Sequence, residues 1–249
     1  MDLGLTGRTA LVTGASKGIG RGIAAALAAE GANVAISSRS RERIAATAVE
    51  IGAHPYVHDS ADIDAAPRLV DSIEADLGPL DVLVTNTGGP PIGMDPLGFS
   101  REQWEDAYRD LVLAPMALID RVVPGMKERG FGRILNVSSS AVREPIPVLM
   151  LSNVHRSGLL AGFKTLARNL AGDGITVNTV LPGRIATDRL ADTQGSLAGA
   201  EEAAKEQVPA ARLGTVEEFA AVSAFLCSEQ ASYVTGAAVR VDGGLTQSI

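Results

Sequence analysis

The chain has 249 residues, 46% hydrophobic and 20% charged, with a formal net charge of −7. That length and balance suit one α/β domain with a full core, and the lack of a basic block argues against a nucleic-acid surface or an anionic membrane as partner. No apolar run approaches the ~18 residues that cross a bilayer, the start MDLGLTGRTALVTG has no leader-like pattern, and the lone Cys227 excludes an internal disulfide and metal-site spacing, so the cytoplasm is the expected location.

Short apolar runs alternate with longer segments of helical period. Strands are predicted at Thr9–Thr13, Asn33–Ser37, Pro55–His58, Val82–Thr85, Arg133–Ser138, Thr176–Leu181 and Ala238–Val241. Helices are predicted at Gly18–Glu30, Arg41–Ile51, Ala65–Leu77, Arg101–Arg129, Ser152–Ala171 and Val216–Ser228, where apolar residues recur at three- and four-residue spacing. The strands are nearly continuous apolar runs, the pattern of a sheet covered on both faces. Crossovers of this length join parallel strands. The expected architecture is a Rossmann-like α/β fold, a doubly wound parallel sheet of about seven strands with helices on both faces, in one dinucleotide-binding domain spanning 1–249. The polar, alanine-rich stretch 188–213 has no strong strand signal and is expected to be a mobile lid at the carboxyl end of the sheet, where ligands bind.

The first strand runs through TGASKGIG, Thr13 to Gly20, straight into a helix. Gly14 permits a sharp turn, Gly18 lets backbone approach a pyrophosphate, and Gly20 lets the helix pack closely on the strand. The helix amides then face phosphate. Strand and helix flank the string as this mechanism requires, which makes Gly14, Ser16, Lys17, Gly18, Ile19 and Gly20 the expected cofactor loop. The second strand ends in Ser37, Ser38 and Arg39, without the acid that holds a ribose 2′-hydroxyl in NAD sites. Arg39 and Lys17 suit a 2′-phosphate, so NADP(H) is favoured over NAD(H). The alternative is that both are solvated surface charges.

In these and further motifs, the chain resembles the short-chain dehydrogenase/reductase family over nearly its whole length. TGASKGIG resembles the family's cofactor loop. Asp59 and Ser60 fall where an adenine-contacting Asp follows the third strand. TNTGG, with Asn86 and Gly88, resembles the Asn-Ala-Gly motif after the fourth. ILNVSSS resembles the strand that delivers a catalytic serine. LPGRIATDR resembles the Pro-Gly turn, which implies cofactor binding by Pro182 and Gly183 and a nicotinamide contact by Thr187. The C-terminal helix, strand and Asp-Gly-Gly tail resemble the family too, and the motifs together also resemble the branch containing 3-oxoacyl-acyl-carrier-protein reductases. This implies an enzyme interconverting a small-molecule ketone or aldehyde with an alcohol, and a homotetramer built through the helices around Arg101–Arg129 and Ser152–Ala171.

The departures concern the catalytic tetrad of Asn, Ser, Tyr and Lys that the resemblance implies. Counting from Asn136 and along the following helix keeps the serine as Ser139 but places Ser152 at the tyrosine and Arg156 at the lysine. Counting from Trp104 places Leu111 at the asparagine. The remaining tyrosines, Tyr56, Tyr108 and Tyr233, lie outside this segment. Arg156 stays protonated and suits electrostatic work or ribose binding rather than acid catalysis. Ser152, one turn before it, is either a proton relay or a helix N-cap, a role Asn153 fits equally. His155 has the best local pKa for an acid, but a lone helical histidine also packs or faces solvent. Arg143 is either a contact for an acidic substrate or a partner of Glu144. The expected catalytic set is Ser139, Ser152 and Arg156, without a metal. The alternative function is a nucleotide-binding or regulatory protein without catalysis.

Overall fold

The computed structural model describes residues 1–249, the side chains of 192–194 excepted. In chain order its elements are β1 (Thr9–Thr13), α1 (Gly18–Ala29), β2 (Asn33–Ser38), α2 (Arg41–Ile51), β3 (His54–Val57), α3 (Ala66–Leu77), β4 (Leu80–Thr85) and α4 (Arg101–Tyr108). There follow α5 (Ala114–Arg129), β5 (Gly132–Val137), α6 (Met150–Leu170), β6 (Ile175–Pro182), α7 (Asp188–Gln194), α8 (Leu197–Gln207), α9 (Val216–Leu226) and β7 (Ala238–Val241). The strands form one seven-stranded sheet in the order β3-β2-β1-β4-β5-β6-β7, and every pairing is parallel. This is the Rossmann-like fold expected from the sequence.

Alternation along each strand feeds two apolar layers. On β1, Ala10 and Val12 join a layer with Ile23 and Leu27 of α1 and Phe219 of α9. Leu11 points the other way, to Val70 and Ile73 of α3, Ile119 of α5 and Phe163 of α6. Leu11, Ile23, Ile73 and Phe219 are fully buried, and each contributes about 1.5–3 kcal/mol of transfer free energy. Helix starts follow local chemistry. Ser40 caps α2 by accepting from the Arg43 amide, and Ser100–Gln103 and Thr215–Glu218 form reciprocal capping boxes at α4 and α9.

The chain winds outward in opposite directions from β1 and β4, so the crevice beyond their carboxyl ends is the topological switch point where ligands bind in such sheets. The glycine loop leaves β1 there, and Asn86 leaves β4 there.

Two local expectations change. The helix predicted from Ser152 begins at Met150, after a 3-10 turn at Pro147–Leu149, and the N-cap position falls on Leu149 without a side-chain cap. Neither Ser152 nor Asn153 caps it. Instead the Asn153 side chain clasps Ile146, its Nδ2 donating to the carbonyl at 2.8 Å and its Oδ1 accepting from the amide at 3.4 Å. The segment predicted as Arg101–Arg129 is two helices joined by a π-turn at Arg109–Leu113, with Leu111 buried in it. The stretch 188–213 folds as α7 and α8, and Ala200, Ala204, Val208 and Leu213 form a small apolar cluster of their own.

Candidate active site

The glycine loop is held by close contacts that only glycine allows. Gly14 has φ of 58°, and a Cβ there would lie 2.4 Å from the Asn86 carbonyl oxygen. A Cβ on Gly20 would lie 2.6 Å from the Gly14 carbonyl oxygen and 2.7 Å from Asn86 Nδ2. Asn86 is the latch between the strands. Its Nδ2 donates to the Gly14 carbonyl at 3.0 Å, and its amide donates to Thr13 Oγ1 at 2.9 Å. The loop is tied to the next layer as well. The Ala15 amide donates to the Ser37 carbonyl at 3.1 Å, and Thr47 Oγ1 to the Ser16 carbonyl at 3.0 Å. The loop opens α1, whose first turn has no acidic residue and no side-chain cap. Its leading amides and positive dipole end are therefore open to phosphate.

At the far end of this groove, Arg39 is exposed at the tip of β2. Asp59 folds back, its Oδ1 accepting from the Ala61 amide at 3.1 Å. Asp59 and Arg39 both act electrostatically on Asp110, whose carboxyl is held above the usual range, first by burial and then by Asp59. Asp110 was not foreseen from the sequence, because the π-turn that presents it joins segments predicted as one helix. Lys17 does not join Arg39. Its Nζ pairs with Asp188 at 3.1 Å, linking the glycine loop to the start of α7. Both side chains are largely exposed, so this pair contributes little stability, about 0–1 kcal/mol.

A cavity of about 350 Å³ extends from Ile19 to Ser139, Ser152 and Arg156, and includes Asn86, Pro182, Gly183 and Thr187 in its lining. The three expected catalytic residues thus share one space with these five of the expected cofactor residues. Gly88 has no heavy atom within 4 Å of its would-be Cβ, so open space rather than crowding surrounds it. Gly183 is required sterically, because its Cβ would lie 2.6 Å from the Asp242 backbone of the Asp-Gly-Gly tail. Thr187 is the N-cap of α7, accepting from the Leu190 amide at 3.4 Å. Ile92, Ile146, Val148 and Leu149 supply apolar wall.

Within the cavity, Ser139 lies two residues beyond β5 and its Oγ accepts from the Ala141 amide at 3.1 Å, which fixes the hydroxyl oxygen at the start of a 3-10 turn. Ser152 and Arg156 lie one turn apart on α6, and both are buried. Arg156 Nε donates to Ser152 Oγ at 3.2 Å, and its Nη1 donates to the Val137 carbonyl at 3.0 Å. Burial, then repulsion from Arg189, pushes the guanidinium down to about 10, which still leaves it charged at neutral pH. Arg189 also lines the cavity, as does Arg184. Neither was foreseen as a site residue; the signal available was their place in LPGRIATDR, directly around Thr187.

His155 faces elsewhere. It packs edge-on against Trp104 with ring centroids 5.6 Å apart and tilts against Tyr108 at 6.0 Å. One residue along a helix turns the side chain by about 100°, so His155 points at α4 while Arg156 points into the cavity. Arg143 is exposed, and Glu144 is taken by the C-terminal tail, its Oε1 accepting from the amides of Gln247 and Ser248 at 2.6 Å each. The suggested Arg143–Glu144 pair is not what engages Glu144.

The family described as enoyl-(acyl carrier protein) reductase matches residues 14–246. The chain belongs to the short-chain dehydrogenase/reductase family. It is 35% identical to the NADPH-dependent reductase BacG of Bacillus subtilis (strain 168), over 97% of this chain and 99% of that protein. It is 37% identical to the 3-oxoacyl-[acyl-carrier-protein] reductase FabG of Escherichia coli (strain K12), over 96% of this chain and 97% of that protein. Among solved structures, L-sorbose reductase from Gluconobacter frateurii, complexed with NADPH and L-sorbose, superposes with a TM-score of 0.90 at 32% identity, covering 100% of both chains. This short-chain dehydrogenase/reductase therefore shares the reductase architecture end to end. Among its described residues, no helix is long and apolar enough to cross a membrane, and no cluster of His, Cys, Asp or Glu has the makings of a metal site.

Proposed function

We propose that the chain is an NADP(H)-dependent oxidoreductase that interconverts a ketone or aldehyde with an alcohol, using Ser139, Ser152 and Arg156. The observation that carries this reading is the single cavity that runs from the glycine loop at Ile19 to those three side chains. NADPH dependence and NADPH complexes among the relatives support the cofactor assignment, as does the absence of an acid in the first turn of α1. The contacts that exclude any Cβ at Gly14 and Gly20 keep backbone at phosphate-binding range.

The cofactor supplies or accepts the hydride; the chain's residues handle the oxygen and the proton. Ser139 holds the substrate oxygen by hydrogen bonding. Arg156 places a fixed positive charge beside the oxygen as it gains negative charge during reduction, a stabilisation that costs no reorganisation in a dry site. Because Ser152 Oγ accepts from Arg156 Nε, its own O–H is left to point at the substrate or a water. A hydroxyl so placed relays a proton from solvent to the alkoxide. The relay is weaker than a positioned acid, which is worth about 10²–10⁴ in rate. Thr187 and Asn86 position the nicotinamide end, and α7 and α8 close the cavity as a lid.

The test is a fluorescence titration with NADPH and NADH, followed by a carbonyl screen at saturating NADPH. Tighter NADPH binding with consumption of NADPH supports the proposal. Arg39→Glu is expected to lower the NADPH-to-NADH preference by at least 10-fold. Binding without turnover on any carbonyl supports a nucleotide-binding protein without catalysis, and absence of binding overturns both.

A further inference from the structure

Building on that reading of the cavity, we infer that Leu245 sets the size of the apolar group accepted beside the reacting carbonyl, and that Glu144 is the residue that positions it. The first ground is place. Leu245 lines the cavity that contains Ser139, Ser152 and Arg156. It is half-buried, and it packs against the cluster of Ala200, Ala204, Val208 and Leu213. One side chain thus joins the cavity wall to α8. Ile146 and Val148 continue the same wall. An apolar wall selects by fit, one methylene being worth about 10–200-fold.

The second ground is how the chain is held on either side of Leu245. Before it, Asp242 Oδ1 accepts from the Gly244 amide at 3.0 Å, and the Gly243 carbonyl accepts from the Ala210 amide at 3.0 Å. The Asp242 carbonyl accepts from the Leu245 amide itself at 3.1 Å. After it, Asp242 Oδ2 accepts from the Thr246 amide at 3.0 Å, and Glu144 Oε1 from the amides of Gln247 and Ser248 at 2.6 Å each. Arg240 Nη1 donates to the Ser248 carbonyl. Bonds to a carboxylate are the stronger kind, and two carboxylates bracket this strap. All of these bonds engage its main chain, so they aim the side chain at 245 without depending on what that side chain is. Glu144 also ties the strap to the catalytic end. It stands five residues after Ser139, and its amide donates to the Ser140 carbonyl at 3.2 Å. The turn that carries the serine therefore also fixes the wall facing the substrate. Leu245 meets the substrate, and Glu144 acts through it.

The experiment compares two ketones that differ only in bulk. Acetophenone and butyrophenone are titrated calorimetrically into the protein in the presence of NADP+, which permits no turnover of a ketone. NADPH affinity and Tm are measured separately. Leu245→Ala is expected to shift the ratio of the two affinities toward butyrophenone by at least about 10-fold. Glu144→Ala is expected to shift it in the same direction, because the strap loses its far anchor. Glu144→Gln keeps an oxygen that accepts from both amides and should stay near the parent ratio. NADPH affinity should hold within about 3-fold in all three variants, since the changes lie away from the glycine loop. An unchanged ratio in either alanine variant overturns the inference, even if Tm falls, since the strap is then structural only. So does a Glu144→Gln protein that behaves like Glu144→Ala, or no binding of either ketone to any of the proteins. Failure of the parent to bind NADPH sinks the oxidoreductase reading and leaves the ratio of ketone affinities legible on its own.

Discussion

Arg156 donates through Nε to Ser152 Oγ at 3.2 Å, one helical turn back on the same face of α6. The bond fixes both the charge and the direction of the serine proton. Ser152→Ala removes the relay and one neutral acceptor of a buried cation, and is expected to lower kcat about 10–100-fold with little change in NADPH affinity. Arg156→Met separates catalysis from stability. Turnover is expected to fall at least 100-fold. Tm is expected to hold within a few degrees or rise, since replacing an uncompensated buried charge by an apolar side chain is often neutral or stabilising by about 1–4 kcal/mol. Steady-state rates and a thermal melt without ligand check the pair. A large loss of Tm in Arg156→Met would show that the guanidinium is structural.

Gly14→Ala tests the latch. The new Cβ would meet the Asn86 carbonyl oxygen at 2.4 Å, from a backbone at positive φ. The left-handed conformation alone costs about 1–3 kcal/mol for a non-glycine residue, and displacing Asn86 adds to it. Tm is expected to fall by several degrees, at about 2–4 °C per kcal/mol for a chain of this size. NADPH affinity is expected to drop at least 10-fold. Unchanged affinity would mean that the loop does not cradle phosphate.

Acid should destabilise the fold through its histidines. Burial holds both His58 and His155 below the ordinary histidine value, in His58 against the opposing pull of Asp59 and Asp62. The unfolded chain therefore takes up protons first, near pH 6.5. The stabilisation is complete above that pH and is lost as pH falls through 6.5 toward the folded values. Melting curves from pH 8 to pH 5 should show Tm flat and then falling. His155→Phe, which keeps a ring against Trp104 and Tyr108, should make the fall shallower. An equally steep fall in the variant would remove His155 from the account.

Cys227 is fully buried, and burial pushes its thiol up to about 12 despite the nearby Arg133. The thiolate is the reactive form. A disulfide reagent at pH 8 should label the native protein far more slowly than the denatured chain, with a rate set by opening of the structure. Rapid stoichiometric labelling of the native state would contradict this packing.

The sheet was legible because strand runs such as ALV and ILNV carry their burial in composition, and the glycine loop because its spacing has steric reasons that the structure repeats at Gly14 and Gly20. The start of α6 was less legible. A serine two residues inside the helix looks like a cap when the preceding turn at Pro147–Leu149 is not foreseen. The spacing of Ala200, Ala204 and Val208 did signal a helix in 188–213, but a polar, alanine-rich composition masked it. The orientation of His155 depended on Trp104 and Tyr108, some fifty residues away in sequence. The meeting of Arg156 with Arg189 had no local sign at all, since tertiary packing alone brings α6 and the start of α7 to one cavity.

A cavity lined by three arginines sits in a chain whose net charge is −7. An anion approaching from far away meets repulsion, and only near the mouth does it meet attraction. Salt screens the two fields unequally, because the Debye length shrinks from about 30 Å at 0.01 M to about 8 Å at 0.15 M. The distant repulsion fades first, so capture of an anionic ligand should quicken on the first additions of salt and slow only once the near field is screened as well.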